Sequence, residues 1–214
     1  MPNSNPIILI TVDVEDWFQV ENFKSCIPYA TWPDRELRVE RNVHRLLDLF
    51  DSVALEKNSA NRREPDPRNL TPGTRPLKPD PWPLAPDTCT KATFFVLGWL
   101  AQRLPDLVRE IHNRGHEVAS HGLNHELPGK MPPSQLKGDL VDSKKLLEDI
   151  LGARVFGYRA PSFSVNEKIL ETIAAAGYLY DSSYNSFAMH GRYGRLCLST
   201  NGNKSAACRL SGSF

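Results

Sequence analysis

The chain has 214 residues, enough for one domain with a substantial core and too few for two independent enzymatic domains. Lysine plus arginine number 26 against 25 aspartate plus glutamate, and a net charge of +1 removes the electrostatic case for a nucleic-acid or anionic-membrane partner. No run approaches the roughly 18 consecutive apolar residues of a membrane span, and Met1 to Pro6 carries no positive cluster, so the sequence predicts neither a membrane anchor nor a signal peptide and reads as a cytoplasmic protein.

In chain order, Ile7 to Val12 is a short, β-branched apolar run that predicts a strand buried on both faces, ended by the acids Asp13, Glu15 and Asp16. The carboxyl end of such a strand is where ligands sit in parallel α/β proteins. Val43, Leu46, Leu47 and Phe50 recur at helical spacing from Val39 onward. From Ser52 to Thr90 there are eight prolines among polar residues and few aliphatics, which predicts a disordered or extended insertion. Ala92 to Leu97 reads as a second strand. A single helix through Leu100, Leu104, Leu107, Val108 and Ile111 follows, stopped at Gly115. His116 to Ser120 reads as a third strand that delivers His121 at its end. Ser134 is placed to cap a helix through Leu136, Leu140, Leu146, Leu147 and Ile150 that Gly152 closes. Val155 to Tyr158 and Tyr178 to Tyr180 read as further strands, with a helix capped by Asn166 between them. Successive βα units of this kind argue for a parallel sheet or a partial barrel. Arg195 to Phe214 shows neither periodicity and is expected to form an irregular tail, which leaves 1–194 as the domain. Cys26, Cys89, Cys197 and Cys208 are too widely spaced for a zinc knuckle and read as buried free thiols.

Two features carry chemistry. His121 and His125 are four residues apart, a spacing that lets two imidazoles face one metal ion on a helical turn or tight loop. Taken alone, such a pair is a weak signal. The acidic cluster after the first strand strengthens it, because two imidazoles and one carboxylate leave coordination positions open for water, and a second carboxylate can take a proton. His44, His112 and His116 have no partner pattern and read as structural or exposed.

The segments Thr11 to Asp16, Lys91 to Gly98, Gly115 to His125, Gly157 to Ser164 and Tyr180 to Ser183 resemble, in order, the motifs of NodB-type polysaccharide deacetylases, carbohydrate esterase family 4. The resemblance covers residues 7 to 51 and 91 to about 194. The wording around Trp17 to Val20 resembles the branch associated with bacterial exopolysaccharide biosynthesis. It implies an α/β fold, a distorted (β/α) barrel of about seven strands, and metal-dependent hydrolysis of N-acetyl groups on an oligo- or polysaccharide, with a divalent ion such as Zn2+ as cofactor. By the same resemblance Asp13 matches the general base and Arg159 the residue that orients it. His121 and His125 match metal ligands, completed by Asp16 or, as the alternative, Glu15. Pro161, Phe163 and Asp181 match the substrate groove.

The resemblance has limits at both ends of the second half. The helix after Asn166 is short for the family, and the pattern stops near Arg195, so the barrel is expected to be incomplete at its C-terminus. Members of the family carry a later histidine as general acid, whereas no histidine follows His190 here. Two other readings therefore stay open: a catalytically impaired glycan-binding remnant of the family, and a hydrolase of a small cyclic amide.

Overall fold

Five short strands run parallel and pair in the order in which the chain makes them: β1 (Ile10–Val14), β2 (Ala92–Val96), β3 (Glu117–Ser120), β4 (Gly157–Tyr158) and β5 (Tyr180–Asp181). The computed structural model describes residues 8–60, 90–184 and 208–209. Parallel neighbours need a crossover between them, and helices supply each one. These are α1 (Val39–Ala60), then α2 (Gly98–Arg103) with α3 (Pro105–Asn113), then α4 (Pro133–Leu151), then α5 (Glu167–Ala175). This is the α/β arrangement that the alternating patterns predict, the wall of a distorted (β/α) barrel.

Packing follows the apolar spacing. In α1, Val39, Val43, Leu47 and Phe50 are buried along one stripe, each such side chain contributing about 1.5–3 kcal/mol relative to exposure. Phe94, Phe95 and Val96 of β2 and Val118 and Ala119 of β3 are among the sheet residues buried in the core. His116 is structural, as read: its ring lies edge-on to Phe94 and tilted to Phe50, and its Nδ1 accepts the Ala92 N–H at 3.2 Å. Asn166 caps α5, its Oδ1 accepting from Ile169 N at 3.0 Å.

Several boundaries differ from the sequence reading. Strand β1 is not buried on both faces. Among the described residues it pairs only with β2 and forms the sheet edge, and Ile8 and Leu9 before it are 82% and 78% exposed. The strand also continues through Asp13 to Val14 instead of stopping at the acids. Helix α1 runs on to Ala60, into the stretch expected to be loop; residues 61–89 of the proline-rich insertion lie outside the described residues. The single helix predicted after β2 is two. Pro105 lacks an N–H and disfavours helical backbone at the residue before it, so Leu104 sits at φ −125, ψ 53 and α3 starts afresh with Pro105.

Ser134 does not cap α4. Pro132 occupies that position and Pro133 the first helical one, where a missing N–H is cost-free. Cys26 is a free thiol but exposed, not buried. Within the tail expected to be irregular, Cys208–Arg209 forms a sixth strand, β6, antiparallel to β5. No helix among the described residues is long and apolar enough to cross a membrane.

Candidate active site

Strand alternation sets the first part of the site. On β1, Thr11 and Asp13 point to one face and Val14 to the other, where it is buried. Arg159, just after β4, reaches across to that first face. Its Nη1 donates to Asp13 Oδ1 at 2.7 Å and its Nη2 to Thr11 Oγ1 at 3.1 Å. Its Nε and Nη2 donate to the Ser182 carbonyl and hydroxyl at 3.0 and 2.8 Å. The guanidinium also lies 4.1 Å from the centre of the Phe95 ring. An arginine held by four hydrogen bonds and a ring face has little freedom left, so the Asp13 carboxylate it contacts is fixed too.

The second part forms where β3 ends. His121 is buried, and its Nδ1 lies 2.9 Å from the Arg159 carbonyl. A carbonyl only accepts, so Nδ1 carries the proton and Nε2 presents its lone pair. His125 follows in a tight loop with φ 55, its ring centroid 5.4 Å from that of His121. Glu15, one residue past β1, completes the group: its Oε2 lies 2.7 Å from His125 Nε2 and 4.0 Å from His121 Nε2. One donor atom from each of Glu15, His121 and His125 lies within 4.8 Å of the others. Glu15 Oε2 and His125 Nδ1 are buried without a directed hydrogen bond among the described residues. A carboxylate oxygen and two imidazole nitrogens converging in this way fit a divalent cation of the zinc type.

Electrostatics favour the ligand forms. Burial pushes the His121 imidazole below its ordinary pKa, outweighing the attraction of Asp13 and Glu15, so the ring is neutral at neutral pH. Burial alone would raise the Glu15 carboxyl, but the contact and charge of His125, with the charge of His121, turn the net shift downward and keep it ionised.

The residues expected in the site divide. Asp13, Glu15, His121, His125 and Phe163 line one cleft of about 190 Å³, together with Val20, Glu21, Asn22 and Ser162. Arg159 stands behind it, on Asp13. Asp16, the favoured third ligand, is elsewhere. Its Oδ2 accepts the Arg38 and Val39 N–H groups at 2.7 and 3.0 Å and its Oδ1 the Trp17 N–H at 2.8 Å, so it caps the start of α1. The alternative carboxylate, Glu15, is the one beside the imidazoles.

Pro161 and Asp181 are not among the cleft-lining residues. Pro161 is buried in the turn before Phe163. Asp181 accepts from the N–H and hydroxyl of Ser183 at 2.9 and 2.7 Å, and the Ser183 hydroxyl in turn accepts the Ala160 N–H at 2.8 Å. Asp181 therefore ties the β5 loop to the Arg159 segment. His190 lies outside the described residues. Thr11, Ser182, Glu21 and Asn22 went unread because neutral or isolated polar residues carry no spacing signal.

Fold and site together define an α/β barrel-type protein with a polar acid–imidazole cleft at the carboxyl ends of parallel strands. Residues 86–180 match the family profile described as polysaccharide deacetylase. A peptidoglycan-N-acetylglucosamine deacetylase of Bacillus cereus is 33% identical over 88 residues, 41% of this chain and 41% of that protein. A peptidoglycan deacetylase of Helicobacter pylori is 33% identical over 98 residues, 45% of this chain and 33% of its own length. A solved Mycobacterium smegmatis structure ascribed to the polysaccharide deacetylases superposes with a TM-score of 0.55 at 26% identity, over 82% of this chain and 50% of that one. Over residues 86–180 the chain is similar to the polysaccharide deacetylases. It spans less than half the length of the two curated relatives.

Proposed function

We propose that this chain is a metal-dependent N-deacetylase acting on an N-acetylated glycan, with Glu15, His121 and His125 as the metal-holding residues and Asp13 as the general base. The observation that carries the reading is the convergence of these four side chains on one cleft, with Arg159 bonded to the base.

Bound by the trio, a divalent ion such as Zn2+ supplies Lewis acidity, polarising a carbonyl oxygen and acidifying water. The protein's own groups do the rest. Arg159 occupies Asp13 Oδ1, which leaves Oδ2 to take the proton of the water that attacks the acetamide carbon. His121, with its tautomer fixed by the Arg159 carbonyl, and Glu15, kept ionised, present lone pairs without prior proton loss. Phe163, Ser162, Glu21 and Asn22 form the cleft wall against which the sugar is oriented. The C–N bond then breaks, the proton taken up by Asp13 passes to the departing nitrogen, and acetate and a free amine are the products. The wording of the first motif supports a place in bacterial exopolysaccharide biosynthesis.

The test is calorimetric titration of the metal-stripped chain with zinc or cobalt, paired with acetate release from chito-oligosaccharides. Wild type is expected to bind one ion and release acetate, and His121→Ala to lose both. Full acetate release by His121→Ala would sink the assignment.

A further inference from the structure

Between the two imidazoles lie Gly122, Leu123 and Asn124, which form a tight loop and not a helical turn, so helical periodicity does not set the spacing of His121 and His125. Two elements hold this loop by hydrogen bonds. From the start of α2, Gly98 N donates to the Gly122 carbonyl at 2.9 Å and Trp99 N to the Leu123 carbonyl at 2.8 Å. From α4, the carboxylate of Asp139 accepts the Leu123 N–H with its two oxygens at 3.2 and 3.1 Å, and the Asn124 N–H acts on the same carboxylate electrostatically. The fit is close. A Cβ on Gly122 would meet Asp139 Oδ1 at 3.0 Å, and Gly122 sits at φ +77, so a side chain there would be both crowded and strained.

We propose that Asp139 is a positioning residue of the metal site: its carboxylate, bonded to the Leu123 N–H in the middle of the loop, sets the separation and aim of His121 and His125. The inference rests on the reading of Glu15, His121 and His125 as metal-holding residues. Asp139 does not line the cleft, so its influence passes through the loop. A buried carboxylate is costly unless hydrogen-bonded, and here burial pushes the carboxyl up to about 6 while the two loop N–H groups act in the opposite direction. The charges of Glu126 and Asp142 add to the cost. Charged acceptors bond N–H groups about twice as strongly as neutral ones, and groups that orient metal ligands typically control affinity by 10–100-fold. The costly carboxylate is thus spent on the one loop whose geometry a bound ion would feel.

The test compares the full chain with Asp139→Asn and Asp139→Ser, measured in parallel so that a folding failure of one leaves the comparison intact. Far-UV circular dichroism and a cooperative melt establish folding. Zinc affinity is then read by chelator competition, and the visible spectrum is recorded with Co2+ in place of zinc. The proposal expects folded variants whose zinc affinity falls roughly 10–100-fold, with a Co2+ band altered in position or intensity. Variants that match wild type in both affinity and spectrum would overturn it. If wild type itself binds neither ion, the metal reading fails and this inference with it, an outcome distinct from the first because the variants play no part in it.

Discussion

Arg159 binds Asp13, Thr11 and both polar groups of Ser182, which ties β1, β4 and the end of β5 together at one guanidinium. Lysine keeps the charge but has neither the planar fork nor the five donors. Arg159→Lys is therefore expected to leave the fold intact and to lower kcat/KM for deacetylation roughly 100-fold, the scale on which small misplacements of a reacting group are felt. Acetate-release kinetics beside a thermal melt check both halves. The sequence made Arg159 visible only through its motif, since an arginine between a strand and a proline loop is otherwise a plain surface candidate. Its partners Thr11 and Ser182 stayed hidden because a hydroxyl acquires meaning only when a fold brings a donor to it.

At the scale of elements, the choice between Glu15 and Asp16 was a question of parity. Side chains alternate along an extended chain, so Thr11, Asp13 and Glu15 share a face and Asp16 does not. What the sequence could not show was how far past Val12 the extended backbone runs, nor that a helix beginning at Val39 would need a cap from Asp16. The two acids should separate cleanly. Asp16→Ala is expected to cost about 1–2 kcal/mol of stability, the usual loss of a helix cap, while sparing metal affinity; Glu15→Ala should do the reverse. Urea melts and zinc titration on both variants measure this. The periodic signals that named α1, α4 and α5 were sound because burial follows spacing. The break between α2 and α3 was equally legible in Pro105 but was outweighed by the apolar spacing through Leu104.

Over the whole molecule, two buried acids are among the groups expected to make stability depend on pH. Burial holds both Asp139 and Asp181 up to about 6, against ordinary values of 3.8, despite backbone and serine donors acting in the opposite direction. A folded value above the unfolded one means the native state binds the proton more tightly. The stabilising contribution of each protonated acid is therefore complete below about pH 4 and is lost as pH rises toward 6, by roughly 3 kcal/mol per group at most. Asp181→Asn, which keeps an acceptor for Ser183, is expected to flatten the fall in stability between pH 4 and 6, as read from denaturant melts across that range. An unchanged slope would remove Asp181 from the account.

At this scale the order of βα units and the motif-bearing strand ends were legible because each strand carries its own apolar run. The edge position of β1 was not. A continuous apolar run looks the same whether one neighbour or two flank it, and only the assembled sheet decides.

On the proposed metal reading, the left-handed backbone at His125 would have a consequence for selectivity. Such a conformation costs a non-glycine residue roughly 1–3 kcal/mol, and the fold meets that cost through the grip on the 122–124 loop before any ion arrives. A cage assembled by its ion adapts to whatever radius it is given. If the two histidines hold an ion as proposed, donors set in advance would not adapt, and ions would be sorted by their tolerance of a spacing set elsewhere in the protein.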